Sequence, residues 1–234
     1  MKIAVIIPTR ERIDRLNKVV QSILHTTQVH GTVKIYVGLD QNDPQYNRYL
    51  KYCSEYKLLP SVFEPRANVP VIMQSIGEYA LEDGADLLII ASDDVVFQTP
   101  SWDMFVRDYY RDVPDKLLVG YFNNGADREM CEHFVVSKEW VKALGYFVPT
   151  FFNHFYVDTW ISDIAERNGR LKWFRDVTLK HEHFKYGMAV YDAVYERTRK
   201  NNFATKDKTL FELNQAQRIT DSNKIRDAIC ASAS

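Results

Sequence analysis

Two adjacent aspartates, Asp93 and Asp94, follow a run of aliphatic residues in the segment IIASDDVVF. Carboxylates this close repel each other unless a positive group joins them or they point apart. Mg²⁺ in phosphate chemistry takes carboxylate oxygens, and Mn²⁺ also accepts imidazole nitrogens. Further along the chain, His181 and His183 would lie on one face of a strand. These residue types predict a divalent-cation site if the fold brings the two segments together.

A simple turn explains the same aspartate pair without a cation. In that interpretation an aspartate caps the helix that begins near Ser101. The histidines can likewise be ordinary surface or core residues. The local sequence leaves both interpretations open, so the elements that position these residues must decide between them.

The first half of the chain alternates buried-looking apolar runs with helical spacing of apolar residues. This pattern predicts strands at 3–8, 32–40, 61–65 and 85–94, and helices at 12–27, 42–56 and 69–84. Such alternation indicates right-handed βαβ crossovers and a mostly parallel central sheet flanked by helices, in a single α/β domain.

Polar residues follow each of the four predicted strands. They are Thr9-Arg10, Asp40, Arg66 and Asp93-Asp94. Each has its own explanation as a turn residue or cap, but ligands of parallel sheets bind at the carboxyl ends of the strands. The four strand ends together predict a common ligand site.

The second half of the chain has a different pattern of predicted strands and helices. Strands are predicted at 117–122, at the start of 133–147 and in 171–184, and helices in the rest of 133–147, at 157–169 and at 186–200. Ser137 is the candidate N-cap and Gly145 the stop of the first of these helices. From about residue 219 the pattern is lost, which predicts a flexible tail over 219–234.

The bulk composition is that of a globular protein. The 234 residues are 46% hydrophobic and 26% charged, enough for one domain with a sizeable core. No stretch approaches the roughly 18–20 apolar residues of a membrane-spanning helix, and the N-terminus does not resemble a cleavable signal. Three scattered cysteines (Cys53, Cys131 and Cys230) have no metal-binding spacing and favour a reducing cytoplasm.

The net charge of −1 hides an asymmetry between the two ends of the chain. Residues 167–227 hold 14 Lys/Arg against 8 Asp/Glu, whereas residues 1–166 hold 16 against 23. A solvated helix face accounts for the basic excess. Attraction to an anionic partner such as a nucleoside diphosphate or nucleic acid accounts for it equally.

The ordered segments resemble the GT-A-fold nucleotide-sugar glycosyltransferases, most closely the large family-two group, over residues 2 to about 184. IAVIIPTRERIDRLNKVVQSIL resembles that family's opening strand, Pro-Thr turn and first helix. YVGLDQND is similar to its second strand with a base-contacting aspartate, and ADLLIIASDDVVF to the strand with the metal-binding "DxD" segment. The order from HFVVSKEWVKALGYF to the late histidine follows the family's second half.

The chain departs from the family pattern at three points. Ala91 stands where the family often has an acid, and Val157-Asp158 retains only the second member of an acidic pair. No QxxRW-type motif is present, which argues against a processive polymer synthase.

The resemblance implies a Mn²⁺- or Mg²⁺-dependent transfer of a sugar from a nucleoside diphosphate sugar, most simply a UDP-sugar, to an acceptor hydroxyl. Asp158 would be the general base of an inverting reaction. The implied metal ligands are Asp94 and His181, with His183 as the alternative to His181. The residues implied to contact the donor are Pro8, Thr9, Arg10, Asp40, Arg66 and Asp93. The domain would span 1–218, with a nucleotide-sugar-binding half at 1–115 and an acceptor half at 116–218.

The acceptor is less defined. The segment FVPTFFNHFY (147–156) places five aromatic side chains beside the expected base, either as packing or as a platform for stacking a sugar ring or a nucleobase. A saccharide or small molecule and a hydroxymethylated base of viral DNA both stay open as acceptors.

Two other functions compete with glycosyl transfer. A nucleotidyltransferase is disfavoured because PTRERIDR contains no glycine for a phosphate-binding loop. A nucleotide-sugar-binding module without catalysis is the second alternative, since one family acid is missing.

Overall fold

The computed structural model describes residues 1–64, 67–126 and 130–232. These residues form one eight-stranded sheet in the order β3-β2-β1-β4-β7-β6-β8-β5. The strands are β1 (Ile3–Thr9), β2 (Val33–Asp40), β3 (Leu59–Phe63), β4 (Leu87–Ile90), β5 (Val95–Phe97), β6 (Val119–Asn123), β7 (Phe134–Ser137) and β8 (Leu171–His181). The expected single α/β domain is confirmed.

The helices that the described residues form cover both faces of this sheet. They are α1 (Ile13–Thr26), α2 (Tyr46–Tyr56), α3 (Val69–Glu82), α4 (Trp102–Asp112), α5 (Lys138–Leu144), α6 (Val157–Arg167), α7 (Ala193–Lys200), α8 (Phe203–Leu213) and α9 (Gln215–Ser232). Short 3-10 turns occur at His30–Thr32 and Phe184–Tyr186. Within the described part of the chain, no helix has the length and apolar character needed to cross a bilayer.

Strand β1 lies at the centre of the parallel half of the sheet. It pairs in parallel with β2 and β4, and β2 pairs in parallel with β3. Side chains alternate across a strand, so Ile3, Val5 and Ile7 pack into the core under α1, whereas Ala4 and Ile6 pack into the core under α3. Both faces of β1 are therefore buried, which explains its continuous apolar sequence.

Beyond β4 the sheet is mixed. Strand β7 is antiparallel to β4 and β6, β8 is parallel to β6, and β5 is antiparallel to β8. The β5–β8 register pairs Val95 with His181. This pairing brings the late histidine beside the aspartate pair that precedes β5.

Several predicted element ends are shifted. Helix α2 begins at Tyr46 rather than at 42, because Asp43 accepts a hydrogen bond from the Gln45 backbone amide (2.7 Å) in a preceding turn. Strand β5 separates the aspartate pair from α4, whose N-cap is Ser101, so neither aspartate caps that helix. The expected caps of α5 are confirmed: Ser137 accepts from the Trp140 amide.

The C-terminal segment differs most from expectation. Residues from 219 to Ser232 are not a flexible tail but continue α9, which packs against α5 and α6. One apolar residue, Ile225, is fully buried there, while Asp221 accepts a hydrogen bond from Tyr146 (2.5 Å). The contact uses buried polar groups, so the apolar periodicity is too weak to reveal it.

Candidate active site

A cleft of about 1450 Å³ opens at the carboxyl ends of β1, β2 and β4. Its lining includes every expected site residue that the structure describes: Pro8, Thr9, Arg10, Asp40, Asp93, Asp94, Asp158, His181 and His183. Arg66 lies outside the described residues. The volume exceeds the roughly 300–1,000 Å³ of a pocket for one drug-sized ligand.

Asp93 is bound to the end of β1 and to the turn that follows it. Its Oδ2 accepts a hydrogen bond from Thr9 Oγ1 (2.8 Å), and its Oδ1 accepts one from Arg12 Nη1 (3.1 Å). Burial raises the pKa of Asp93, Arg12 opposes that shift, and the adjacent charge of Asp94 adds to it. The two neighbouring aspartates therefore have different electrostatic surroundings.

Asp94 has the more strongly stabilised charge. Its Oδ1 lies 3.2 Å from His181 Nε2 and accepts a hydrogen bond from Ser92 Oγ (2.6 Å), while its Oδ2 accepts one from Tyr195 OH (2.7 Å). Burial alone would raise the pKa of Asp94, but the hydrogen bonds from His181, Ser92 and Tyr195 outweigh burial and lower it. Asp94 is a carboxylate at any physiological pH.

The Asp94–His181 pair fits a divalent cation. Two neighbouring ligands of an octahedral ion at about 2.1 Å lie roughly 3 Å apart, and the Asp94 oxygen and the His181 nitrogen are 3.2 Å apart. One carboxylate oxygen and one imidazole nitrogen suit Mn²⁺ better than Mg²⁺. The side chain of His183 is engaged differently, since its Nδ1 accepts from the Lys185 amide (3.2 Å).

Strand β8 ends at His181, so the expected common strand face of the two histidines does not exist. His183 instead caps the 3-10 turn Phe184–Tyr186. Its ring packs edge-on against Tyr195, with the centroids 4.6 Å apart.

His181 lies between two carboxylates. While Nε2 faces Asp94, Nδ1 lies 3.0 Å from Glu132 Oε2. Burial would lower the pKa of His181, but the hydrogen bonds and charges of these carboxylates raise it to about 9. The ring is an imidazolium without a cation, and a cation at Nε2 has to displace that proton.

Ser92 and His133 complete the surroundings of Asp94. His133 Nε2 lies 2.9 Å from Ser92 Oγ, and because the single serine hydroxyl proton goes to Asp94, the histidine donates to the serine. Burial, followed by the charge of His181, lowers the pKa of His133 to about 3, so its ring is neutral.

Helix α7 and its N-cap residue Asp192 lie against the residues around the aspartate pair. Asp192 caps α7 and accepts two hydrogen bonds from Arg12, at 2.8 and 2.9 Å. The Arg12 guanidinium also stacks on the Tyr195 ring, 4.3 Å from its centroid, and Arg15 Nη1 donates to Tyr195 OH (2.9 Å). Helix α7 and its N-cap residue thereby contact Arg12, Arg15 and an oxygen of Asp94.

Arg10 connects the ends of β1 and β2. Its Nη1 donates to Asp40 Oδ2 (2.6 Å) and to Asn42 Oδ1 (2.8 Å). The other oxygen of Asp40 is buried and has no hydrogen-bond partner among the described residues. A buried acceptor without a partner costs free energy that a ligand N–H can recover.

Asp158 lies in the first turn of α6 and is half-buried. The N-cap position belongs to Tyr156, so Asp158 is not the cap of this helix; its Oδ1 accepts from the backbone amide of Thr159 (2.8 Å). Burial raises the pKa of Asp158 to about 6. No cation pairs with this carboxylate among the described residues, which leaves it able to take up a proton near neutral pH.

The aromatic segment before Asp158 divides into two groups. Phe147 and Phe152 are fully buried in the core, as simple packing predicts. Phe155 is 38% exposed and, with Phe203 at the start of α8, lines the cleft. Of the five aromatic side chains in 147–156, Phe155 alone lines the cleft.

Buried Asp207 of α8 holds this aromatic loop in place. Its two oxygens accept hydrogen bonds from the backbone amides of Asn153, His154 and Phe155, each at 2.8 Å, and from the Asn153 side chain at 2.7 Å. The position of Phe155 beside the cleft thus depends on an element about 50 residues further along the chain.

Several residues that contact the expected site residues were not predicted from the sequence. They are Arg12, Arg15, Glu132, His133, Asp192 and Tyr195. Arg12 and Arg15 stand close after the Pro-Thr turn, and that proximity was the only available signal. The other four residues contact the expected site residues only in the folded chain, and no local sequence motif predicts those contacts.

Comparisons with known proteins find similarity in structure but not in sequence. No protein-family model matches the chain, and no curated protein matches it by sequence. The chain superposes on a mannosyltransferase, PcManGT from Pyrobaculum calidifontis, in complex with GDP-Man and Mn²⁺, with a TM-score of 0.63 and 14% identity. That match covers 99% of this chain and 75% of the other.

Two further structures match with similar scores. S. aureus TarS 1-349 in complex with UDP-GlcNAc gives a TM-score of 0.57 at 13% identity, covering 82% of this chain and 62% of that one. GalNAc-T7 with UDP, GalNAc and Mn²⁺ gives 0.59 at 14% identity, covering 77% and 44%. The chain thus spans less than two thirds of the length of both proteins. Its fold is the GT-A fold that these nucleotide-sugar glycosyltransferases share.

Proposed function

We propose that this protein is a divalent-cation-dependent glycosyltransferase that moves a sugar from a nucleoside diphosphate sugar to an acceptor hydroxyl. The observation that supports this most is the pair formed by Asp94 Oδ1 and His181 Nε2, 3.2 Å apart, in the same cleft as the half-buried Asp158. One group suits holding a cation, and the other suits accepting a proton. The structural relatives with bound nucleotide sugars and Mn²⁺ agree with this function.

The nucleotide of the donor would bind over the ends of β1 and β2. Asp40 has a buried oxygen without a partner in the described chain, which can accept the ring N–H of a uracil base. Arg10 fixes the other oxygen of Asp40, and Pro8 and Thr9 form the adjacent floor of the cleft. We therefore propose UDP as the nucleotide carrier.

The transfer would be a single inverting displacement. The acceptor oxygen forms a bond to the anomeric carbon as the bond from that carbon to the diphosphate oxygen breaks, and Asp158 takes the acceptor hydroxyl proton. The raised pKa of Asp158, about 6, suits a base that works near neutral pH. A cation held by Asp94 and His181 would neutralise the charge that develops on the leaving diphosphate.

The acceptor would bind along Phe155 and Phe203, between Asp158 and helix α8. An aromatic wall suits the face of a sugar ring or of a base. We propose a saccharide or other small hydroxyl compound as the acceptor, with a hydroxymethylated DNA base as the second candidate because Arg197 and Arg199 also line the cleft. Salt-sensitive retention of the chain on DNA would favour the second candidate.

Calorimetric titration with UDP, with and without Mn²⁺, tests the proposed function. We expect Mn²⁺ to strengthen UDP binding in the wild type and to have no effect in Asp94→Ala. The matched control is Glu166→Gln, which changes an exposed carboxylate of α6. Equal UDP binding with and without Mn²⁺ in the wild type would count against a cation-dependent transferase.

A further inference from the structure

We propose that Glu132 is a positioning residue that fixes the His181 ring so that Nε2 faces the cation side of the cleft. The inference rests on the proposed cation-dependent function and extends it to a residue that does not itself touch the cation or the substrates. It depends on four contacts of one carboxylate.

The first step concerns the two nitrogens of His181. They lie on opposite sides of the ring: Nε2 is 3.2 Å from Asp94, and Nδ1 is 3.0 Å from Glu132 Oε2. A carboxylate beside Nδ1 holds the proton of a neutral imidazole on that nitrogen, which leaves the lone pair on Nε2. Histidines that bind metals commonly donate their second ring N–H to such a carboxylate.

The second step concerns the rigidity of Glu132. Besides His181, its Oε2 accepts from Asn124 Nδ2 (3.0 Å), and its Oε1 accepts from Tyr186 OH (2.7 Å) and Lys185 Nζ (2.5 Å). The side chain is only 7% exposed. A carboxylate held on both oxygens can fix the orientation of an imidazole ring.

The third step argues against Glu132 as a ligand. A carboxylate has about four lone-pair positions, and four donors already occupy those of Glu132. Glu132 also lies on the other side of the His181 ring from Asp94. A competing arrangement exists, because Glu132, His133 and His181 present donor atoms within 4.8 Å of one another and could enclose an ion themselves.

The decisive variant is Glu132→Gln, which keeps the size of the side chain but removes its charge. Because a neutral amide holds the Nδ1 proton less firmly and can also rotate its NH₂ group toward the ring, we expect Mn²⁺ affinity to fall 10- to 100-fold. Free Mn²⁺ is followed by electron paramagnetic resonance, without turnover. UDP binding without cation should be unchanged, and Glu166→Gln should bind Mn²⁺ like the wild type.

The nitrogen ligands of the bound Mn²⁺ separate positioning from direct ligation. Pulsed electron paramagnetic resonance should detect the coupling of one imidazole nitrogen, lost in His181→Asn and retained in His133→Asn. Two coupled imidazoles, or loss of the coupling in His133→Asn, would overturn the inference in favour of the Glu132–His133–His181 enclosure.

The outcomes also separate this inference from the proposed function. Wild-type Mn²⁺ binding with equal affinity in Glu132→Gln would overturn the positioning role alone. Absence of Mn²⁺ binding in the wild type would overturn the cation chemistry and the positioning role together.

Discussion

Two carboxylates that line the cleft, Asp94 and Asp158, have opposite surroundings. Asp94, the proposed cation ligand, is buried among hydrogen-bond donors, beside His181 and Tyr195, and its pKa is lowered. Asp158, the proposed base, has as donors among the described residues the amide and hydroxyl of its own neighbour Thr159, and its pKa is raised to about 6. Asp94 is buried and Asp158 half-buried, but within the described part of the chain Asp94 alone gains several compensating donors.

This difference separates a group that holds charge from a group that exchanges a proton. A carboxylate with several donors stays ionised and can bind a cation, whereas a buried carboxylate with few donors protonates near neutral pH. Environment alone assigns the two roles, since the residues are chemically identical.

The largest expected effect comes from removing the proton acceptor. Asp158→Asn should lower kcat by about 10²–10⁴-fold, the usual contribution of a general base, because the amide cannot take the acceptor proton. Binding of the UDP-sugar should stay at the wild-type level, since the hydrogen bonds of Asp158 with described residues go to Thr159 and not to the proposed nucleotide-binding residues. Transfer is measured by release of UDP, and donor binding by calorimetry.

Near-normal transfer in Asp158→Asn would mean that the base lies elsewhere or that the reaction retains configuration. Comparing the anomeric configuration of the product with that of the donor then decides between these two explanations.

The second effect is on the pH dependence. The carboxylate form of Asp158 is present above its pKa and is lost as the pH falls through that pKa. We therefore expect kcat/KM to decrease about tenfold per pH unit below about 6, because only the unprotonated enzyme can act as the base. The residual activity of Asp158→Asn should lack this acidic limb, and a wild-type profile flat down to pH 5 would contradict the assignment.

The smallest expected effect is a change in Mn²⁺ affinity at the proposed cation site. Tyr195→Phe removes the hydroxyl that donates to Asp94 Oδ2 at 2.7 Å, and this frees the oxygen for a cation. We expect Mn²⁺ affinity to rise about tenfold, which corresponds to the low end of the contribution of one hydrogen bond to a charged group.

Tyr191→Phe is the matched control for that variant. Its hydroxyl bonds to Glu196 (2.8 Å) instead of the aspartate pair, so its loss should leave Mn²⁺ affinity unchanged. Weaker Mn²⁺ binding in Tyr195→Phe would mean that α7 supports the cation site rather than occupying it.

Much of the fold could be predicted from local patterns. Strand β1 is buried on both faces, and its sequence is therefore a continuous apolar run. Ser137 and Gly145 are the N-cap and C-cap of α5, as their residue types predict. Asp93 lies next to Thr9 because parallel strands end at one edge of a sheet. These relations follow from spacing along the chain and from the rules of strand pairing.

Other relations required the folded chain. The approach of His181 to Asp94 depends on the antiparallel register of β5 and β8, which leaves no trace in either segment alone. The expected pairing of His181 with His183 on a strand face was wrong because β8 ends at His181. Helix α9 was missed because its buried contacts are largely polar.

The sequence by itself determined which groups meet at the carboxyl edge of the parallel sheet, since alternating strands and helices permit few topologies. Tertiary structure decided how each group behaves. Hydrogen bonds from partners such as His181 lower the pKa of Asp94, whereas burial raises the pKa of Asp93 and of Asp158. Burial and hydrogen bonding depend on distance in space, and distance along the chain does not encode them.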